Sequence, residues 1–324
     1  MKIAIAEQTR PATHRRAFVF CCDTAYLPFA AQAIDSLFRS AMDRSFDVCI
    51  VSLDTLTLPE VLAEYPVRLC RLDAGGALDA FATTDRFPVA AYVRLLLAHA
   101  LGQEYDRICY LDADVLVVGS AIASVFELDL AGRPLGAVSD SMKWKRPGTA
   151  THDQAGAGLT GPYFNSGMLL IDCAPFVEQD VLVRCQEALP RCDLQHFQFD
   201  QTVLNIALEG NWTRLHPAWN WQWTPVRPLF ELLVDVQIIH FITARKPWSD
   251  PAGRLPARYR ARSRRFMQAH FPQVDVPGDD AMRTKMQMLS LFLRHAGKVP
   301  QFLRLMREHG AMGDIHATYP VSGR

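Results

Sequence analysis

The feature that most narrows how this chain can fold is an alternation in its first half. Short β-branched and apolar runs, AFVFCC at 17–22, FDVCIVSL at 46–53, VRLCRL at 67–72 and RICYLD at 107–112, are separated by longer segments with apolar residues at helical spacing. After Tyr26 that helical face is Ile34, Leu37 and Phe38; after Pro88 it is Val93, Leu96, Leu97 and Ala100. Strands alternating with helices imply βαβ units, hence an α/β fold with a mostly parallel central sheet flanked by helices. Ligands of such sheets gather at the carboxyl ends of strands, where Asp23 and Asp112 both fall.

The second half is less regular. LGAVSD at 135–140, YFNSGMLLID at 163–172 and VDVQIIH at 234–240 read as strands, and 176–188 and 200–208 as helices. The stretch 143–161, rich in Gly, Thr and charge, has the length and composition of a mobile flap over a site. From Arg254 the periodicity is wholly helical, with Met282, Met286, Leu289 and Leu293, then Phe302, Leu303 and Met306, on one face and basic residues elsewhere. A chain of 324 residues suits one large α/β domain with an appendage, so we divide it into a body at 1–250 and a basic helical segment at 251–324.

Charge sharpens that division. The formal net charge is zero, yet from Pro251 onward 13 Lys and Arg face 5 Asp and Glu, leaving 21 against 29 for the body. A basic end suits an anionic surface and an acidic body suits a cation. The basic helices are compatible with a solvated face, with docking onto the body, and with peripheral contact at a membrane surface. No stretch approaches the ~18 apolar residues that would span a bilayer, and the N-terminus MKIAIAEQTRPATHRR lacks an apolar signal core. Eight cysteines (Cys21, Cys22, Cys49, Cys70, Cys109, Cys173, Cys185, Cys192) form no CxxC pair and sit mostly in apolar runs, as small core residues of a reduced protein do. The expectation is a cytoplasmic protein, at most peripheral at the inner face of the membrane, with no nucleic acid as partner.

The run YLDADVLVVG at 110–119 carries the sharpest chemical question. Two carboxylates, Asp112 and Asp114, lie one residue apart in an apolar run, and each is expensive to desolvate without a positive neighbour. A metal ion, a basic side chain, or water at a strand end each answers that. Residues two apart in an extended segment project the same way, which suits hard oxygen ligands for a divalent cation that also holds phosphates. His240, closing VDVQIIH, reads as a hydrogen-bonded structural residue or as a ligand; imidazole beside two carboxylates suits Mn²⁺ better than Mg²⁺. Lys246, six residues on, would add a point charge for a diphosphate. Arg94, among apolar neighbours, reads as half of a buried salt bridge, Asn165 as a bulge or turn residue, and Trp212, Trp219, Trp221 and Trp223 as core packing or as sugar platforms.

Six ordered motifs then resemble one family. CCDTAY at 21–26, AYVRLLL at 91–97, YLDADVLV at 110–117, YFNSGMLLID at 163–172, FDQTVLN at 199–205 and HFITARKPW at 240–248 are similar to the retaining, metal-dependent glycosyltransferases of family 8. These include bacterial lipopolysaccharide galactosyl- and glucosyltransferases and glycogenin. The resemblance implies a GT-A-like fold and transfer of a hexose, glucose or galactose, from a UDP-sugar to a saccharide acceptor, such as a lipopolysaccharide core, with Mn²⁺. It implies that Asp23 and Tyr26 bind the uridine, that Asp112, Asp114 and His240 hold the metal, and that Lys246 meets the diphosphate. Arg94, Asn165, Asp200 and Gln201 would surround the donor sugar, with Gln201 near the anomeric carbon on the face opposite the leaving group. Asp140 would lie near the sugar and acceptor.

Three positions depart from the family pattern: its D-Q-D triplet ends in Thr202, a usual glycine is Thr243, and a usual asparagine is Ala25. Two other readings compete. A D-x-D phosphohydrolase wants Thr or Val two residues after the second Asp, behind the first strand; Leu116, on what reads as a fourth strand, fits neither. A catalytically silent carbohydrate-binding protein of the same fold is discouraged because all three metal-ligand positions are kept.

Overall fold

The fold is a computed structural model and is described for residues 2–81, 89–140, 162–191, 199–223, 231, 234–278, 284–308 and 314–321. The expected flap at 143–161, together with Met282 and Cys192, lies outside the described residues, as does the side chain of Met306.

The first-half strands form as read. β2 (Arg16–Cys21), β3 (Asp47–Ser52), β4 (Val67–Asp73) and β5 (Arg107–Leu111) pair in parallel in the order β4-β3-β2-β5. An unanticipated β1 (Ala4–Gln8) pairs antiparallel with the edge of β4; only Ala4 and Ile5 are partly covered and the rest is exposed, so its apolar pattern is faint. The strand preceding the aspartates is therefore the fifth in chain order, not the fourth. Beyond β5 the sheet becomes mixed. β7 (Leu135–Ser139) and β8 (Phe164–Asp172) enter with β8 antiparallel to both β5 and β7. Two short strands, β9 (Thr213–Arg214) and β12 (Tyr319–Pro320), complete the nine-stranded order β1-β4-β3-β2-β5-β8-β7-β9-β12.

Helices close both faces of this sheet. α1 (Leu27–Ser40) opens with Pro28 in its first turn and lays Ala30, Ala31, Ile34, Leu37 and Phe38 on the sheet, its alanines permitting close approach. The helix read after Pro88 begins as a 3₁₀ stretch, Val89–Leu96, and becomes α2 only at Leu97–Leu101. The tighter winding carries the Arg94 Nε back onto the carbonyl of Ala91 at 3.0 Å. The helix expected at 176–188 is two, α3 (Cys173–Glu178) and α4 (Val181–Ala188). Between them Asp180 takes the left-handed conformation (φ 51°), which Asp tolerates, and Gln179 is drawn aside by bonds to Gly132 O (3.2 Å) and Asn211 Nδ2 (2.7 Å). α5 (Phe199–Leu208) packs with α4 on the face opposite α1.

A second, three-stranded sheet matters most for the site. β6 (Val115–Val117) follows β5 after a turn, so the D-x-D run is not one strand: Asp112 to Asp114 is the crossing between two sheets. β6 pairs antiparallel with β11 (Ile238–His240), which pairs in parallel with β10 (Trp221–Gln222). His240 stands opposite Val115, beside Asp114.

α6 (Ala257–His270) belongs to the main body by its packing. Phe266 and Met267 enter the core beneath α1, and the Ser263 hydroxyl donates to Gln32 Oε1 at 2.8 Å. α7 (Lys285–Ala296) starts with a capping box from Thr284 and Gln287 and presents most of its apolar side chains to solvent, with only Leu291 buried. α8 (Val299–Glu308) docks through Phe302, and the tail returns to the body, where Trp219 Nε1 donates to Ile315 O at 2.7 Å. The seven described cysteines carry free thiols.

Because Met267 is fully buried in the core that α1 also fills, Met267→Ala is expected to lower stability by about 2–5 kcal/mol. Urea denaturation should show one transition shifted as a whole; a separate early transition would mean that α6 unfolds apart from the body.

Candidate functional site

The site forms where the two sheets meet. The Asp112 backbone N–H donates to Gly167 O at 2.9 Å, holding the turn against β8. Opposite Ala137 and Val138 the register jumps from Leu169 to Asn165, so 166–168 bulge toward the turn. Gly167 sits where a Cβ would come 2.1 Å from His240 Cε1 and 2.7 Å from Asp112 Oδ2; only glycine fits. The bulge reading of Asn165 is thus correct, and the bulge brings its backbone neighbours to the aspartates.

The Asp112, Asp114 and His240 ligand atoms all lie within 4.8 Å of one another. His240 Nε2 is 3.2 Å from Asp114 Oδ1 and 3.7 Å from Asp112 Oδ2, and Asp114 Oδ1, though buried, receives no hydrogen bond. Two carboxylates and an imidazole nitrogen converging on one point, with a buried acceptor unsatisfied, are a donor set that fits a divalent cation.

Basic side chains also stand beside both carboxylates. Arg94 places Nη2 2.9 Å from Asp112 Oδ1 and Nη1 3.2 Å from Asp200 Oδ2 and 3.1 Å from Ser166 O, its guanidinium 4.3 Å from the centre of the Tyr110 ring. Burial works against its charge, but Asp112 and Asp200 outweigh that and hold its pKa above the ordinary arginine value. Lys246 Nζ pairs with Asp114 Oδ2 and donates to Phe241 O, both at 2.5 Å. Burial alone would raise the pKa of Asp114; the Lys246 ammonium is the main counterweight and the carboxyl is held well below the usual range. Asp200 goes the other way: burial and Asp112 raise it against the pull of Arg94. The loop bearing Lys246 is pinned by Trp248, stacked on Phe29 of α1 at 4.1 Å.

A cleft of about 200 Å³ opens over this floor, lined by Asp23, Tyr26, Arg94, Asp112 and Asp114 among others. Asp23 Oδ1 accepts the Tyr26 N–H at 2.9 Å, ordering the turn into α1 and leaving the Tyr26 ring 52% exposed at the rim. Deeper, and buried, lies a polar group of Asp140, Asn165, Asp200 and Gln201, reached from the cleft through Arg94. Gln201 Nε2 donates to Asp140 Oδ2 at 3.3 Å, while its Oε1 accepts from Asn165 Nδ2 (3.0 Å) and the Ser166 N–H (3.1 Å). All eleven site residues read from the sequence therefore lie in one connected region.

The departures have local explanations. Thr202 is buried, with its hydroxyl 3.0 Å from that of Tyr163; Thr243 donates to Arg245 O at 3.0 Å, closing its loop; Ala25 is exposed. The four tryptophans are all buried and serve as packing. Sequence reasoning missed Tyr110, whose hydroxyl donates to Asp112 Oδ1 at 2.5 Å, and Asn220, fully buried against His240. A polar residue wedged between Trp219 and Trp221 was the signal for the latter.

Known proteins resemble this chain to differing extents. The chain is similar to the glycosyltransferase GlyF of Streptococcus pneumoniae serotype 4, with 25% identity across 72% of this chain and 58% of that protein. It is also similar to the lipopolysaccharide 1,3-galactosyltransferase of Salmonella typhimurium, at 27% across 53% and 52%. The chain thus spans little more than half the length of these relatives. Among solved structures, the galactosyltransferase LgtC in complex with donor and acceptor sugar analogs aligns with a TM-score of 0.62 over 77% of this chain and 95% of that one, at 22% identity. That likeness identifies the fold as GT-A-like. Residues 17–252, which hold every site residue above, match the model of Glycosyl transferase family 8, and the chain belongs to that family.

Proposed function

We propose that this protein is a retaining hexosyltransferase that moves glucose or galactose from a UDP-sugar to a saccharide acceptor with the help of Mn²⁺, Mg²⁺ being the weaker alternative. The observation that carries the reading is the convergence of Asp112, Asp114 and His240 beside Arg94 and Lys246 on the floor of one cleft. Imidazole among the donors favours Mn²⁺. The lipopolysaccharide enzymes among its relatives make a lipopolysaccharide core sugar the acceptor class to test first. A phosphohydrolase reading fits poorly, since Asp112 is engaged by Arg94 and Tyr110 rather than poised as a nucleophile.

A divalent cation held by Asp112, Asp114 and His240 would supply Lewis-acid stabilisation to the departing diphosphate. The chain's own residues do the rest. Asp23 and the exposed ring of Tyr26 take the uridine; Lys246 offers its ammonium to the diphosphate; Arg94 fixes Asp112 and Asp200 in place through its ion pairs. Gln201 is a poor nucleophile, because a carboxamide oxygen already accepting from Asn165 and Ser166 has its lone pairs engaged. The favoured step is a front-face displacement. The bond between the anomeric carbon and the phosphate oxygen breaks, the acceptor oxygen bonds to that carbon from the same face, and its proton passes to the departing phosphate oxygen. Asp140 and Asp200 border the sugar and acceptor side.

The C-terminal segment is assigned a peripheral membrane role. Among the described residues no helix is long and apolar enough to cross a membrane. α7, however, exposes Met286 (76%), Phe292 (62%) and Leu293 (62%) alongside Lys285, Arg294 and Lys298, a combination that suits an anionic lipid surface. The division into a catalytic body at 1–250 and a basic segment at 251–324 stays part of this proposal, with α6 as the element of the segment that packs on the body.

Four outcomes are expected. Slow hydrolysis of UDP-glucose or UDP-galactose should appear with Mn²⁺ and vanish with EDTA. Asp112→Asn and Asp114→Asn should each reduce it about 10²–10³-fold or more in protein that still folds by circular dichroism, with a lowered Tm because Arg94 or Lys246 loses its partner; no hydrolysis of any UDP-sugar by the wild type would favour a silent binding protein. Lys246→Ala should raise the donor KM and lower kcat, each about tenfold, because the lysine acts on the bound and the departing diphosphate alike. Phe292→Glu with Leu293→Glu should abolish sedimentation with anionic vesicles while leaving donor hydrolysis intact; unchanged sedimentation would leave α7 without a lipid role.

A further inference from the structure

The hydrogen bonds around His240 have a direction, and backbone groups fix it. The Gly167 N–H lies 3.1 Å from an Asn165 side-chain atom, which must accept and is therefore Oδ1. The Ser166 N–H lies 3.1 Å from a Gln201 side-chain atom, which for the same reason is Oε1. Both assignments agree, because Asn165 Nδ2 then donates to Gln201 Oε1 at 3.0 Å, and Gln201 Nε2 faces the Asp140 carboxylate at 3.3 Å. With Asn165 Oδ1 an acceptor, the Asn220 atom 2.8 Å from it must be Nδ2. The other end of that amide, 3.0 Å from His240 Nδ1, is then Oδ1, which only accepts. His240 Nδ1 consequently carries a hydrogen, and Nε2 is the nitrogen turned toward Asp114 and Asp112.

We infer that Asn220 is a positioning residue of the site. It locks the imidazole as the Nδ1–H tautomer with the Nε2 lone pair aimed at the aspartates, and it joins that imidazole through Asn165 to Gln201. The inference rests on the reading of Asp112, Asp114 and His240 as a cation site. Its physical basis is that a metal-ligating imidazole is oriented by the acceptor on its other nitrogen. Asn220 suits the task because it is fully buried, flanked by Trp219 and Trp221, and its two ends meet two different partners. The same chain of amides passes any change in the His240 ring to the group bordering the sugar.

Two experiments test it. In metal-free wild-type protein, ¹⁵N shifts of the His240 ring, assigned with a His240→Gln variant, should show protonated Nδ1 and unprotonated Nε2 when the ring is neutral; the opposite tautomer overturns the inference. Mn²⁺ binding without donor, followed by electron paramagnetic resonance, should weaken about 10–100-fold in Asn220→Ala. Asn220→Asp keeps an acceptor for the Nδ1–H and should restore Mn²⁺ affinity to within a few fold of wild type. It cannot donate to Asn165, so kcat should still fall with little change in donor KM. Wild-type affinity in a folded Asn220→Ala, or failure of Asn220→Asp to recover binding, counts against Asn220. If the wild type itself binds no Mn²⁺, the cation site fails, and the ring tautomer still decides for or against Asn220.

Discussion

Two half-buried carboxylates at the crossing between two sheets set the terms for everything around them. Moving an ionised carboxylate out of water costs several kcal/mol even after relaxation, so Asp112 and Asp114 persist only with compensation arranged in advance. Arg94 supplies it for Asp112 and Lys246 for Asp114, from segments about 150 residues apart in sequence. Removing one partner of either pair strands the charge of the other partner. The 3₁₀ stretch that carries Arg94 and the stacked Trp248 that pins the Lys246 loop follow from the same requirement.

The architecture divides the labour accordingly. The parallel strands β4-β3-β2-β5 set Asp23 and Asp112 at their carboxyl ends, as open α/β sheets do. The antiparallel β8 then returns past Asp112 and, through its bulge, lends Ser166 and Gly167 to the site. The small sheet exists for one register, His240 opposite Val115; a slip by one residue would turn the imidazole to the other face. Gly167 enforces the closeness of these parts, since any side chain there would overlap His240 and Asp112.

What could be read from the sequence was what local pattern encodes. The runs around Val19, Ile50 and Leu69 alternate and bury as strands, α1 shows its apolar spacing, and the D-x-D with His240 and Lys246 stands out by chemical type. What escaped depended on distant pairing. In the small sheet β6 and β10, of three and two residues, are too short for any periodicity, and β11, inside a run read as a strand, pairs with β6 across the long separation between Leu116 and Ile239. β1 covers an edge with only partial burial, and the break at Asp180 answers to Gly132 and Asn211. Tyr110 and Asn220 went unassigned because their partners, Asp112 in a turn and His240 on another strand, are set by the fold.

The charges at the site explain why the two halves of the proposed reaction belong together. Asp112, Asp114 and Asp200 face Arg94 and Lys246, leaving one formal negative charge in a confined, partly dry space. Such a floor repels a diphosphate and attracts a cation. A divalent cation among Asp112, Asp114 and His240 would reverse that sign and compete with Lys246 for Asp114. An ammonium displaced from Asp114 would be available to an arriving diphosphate. Cation and nucleotide would therefore each improve binding of the other, through one lysine that neither cation nor nucleotide leaves where it was.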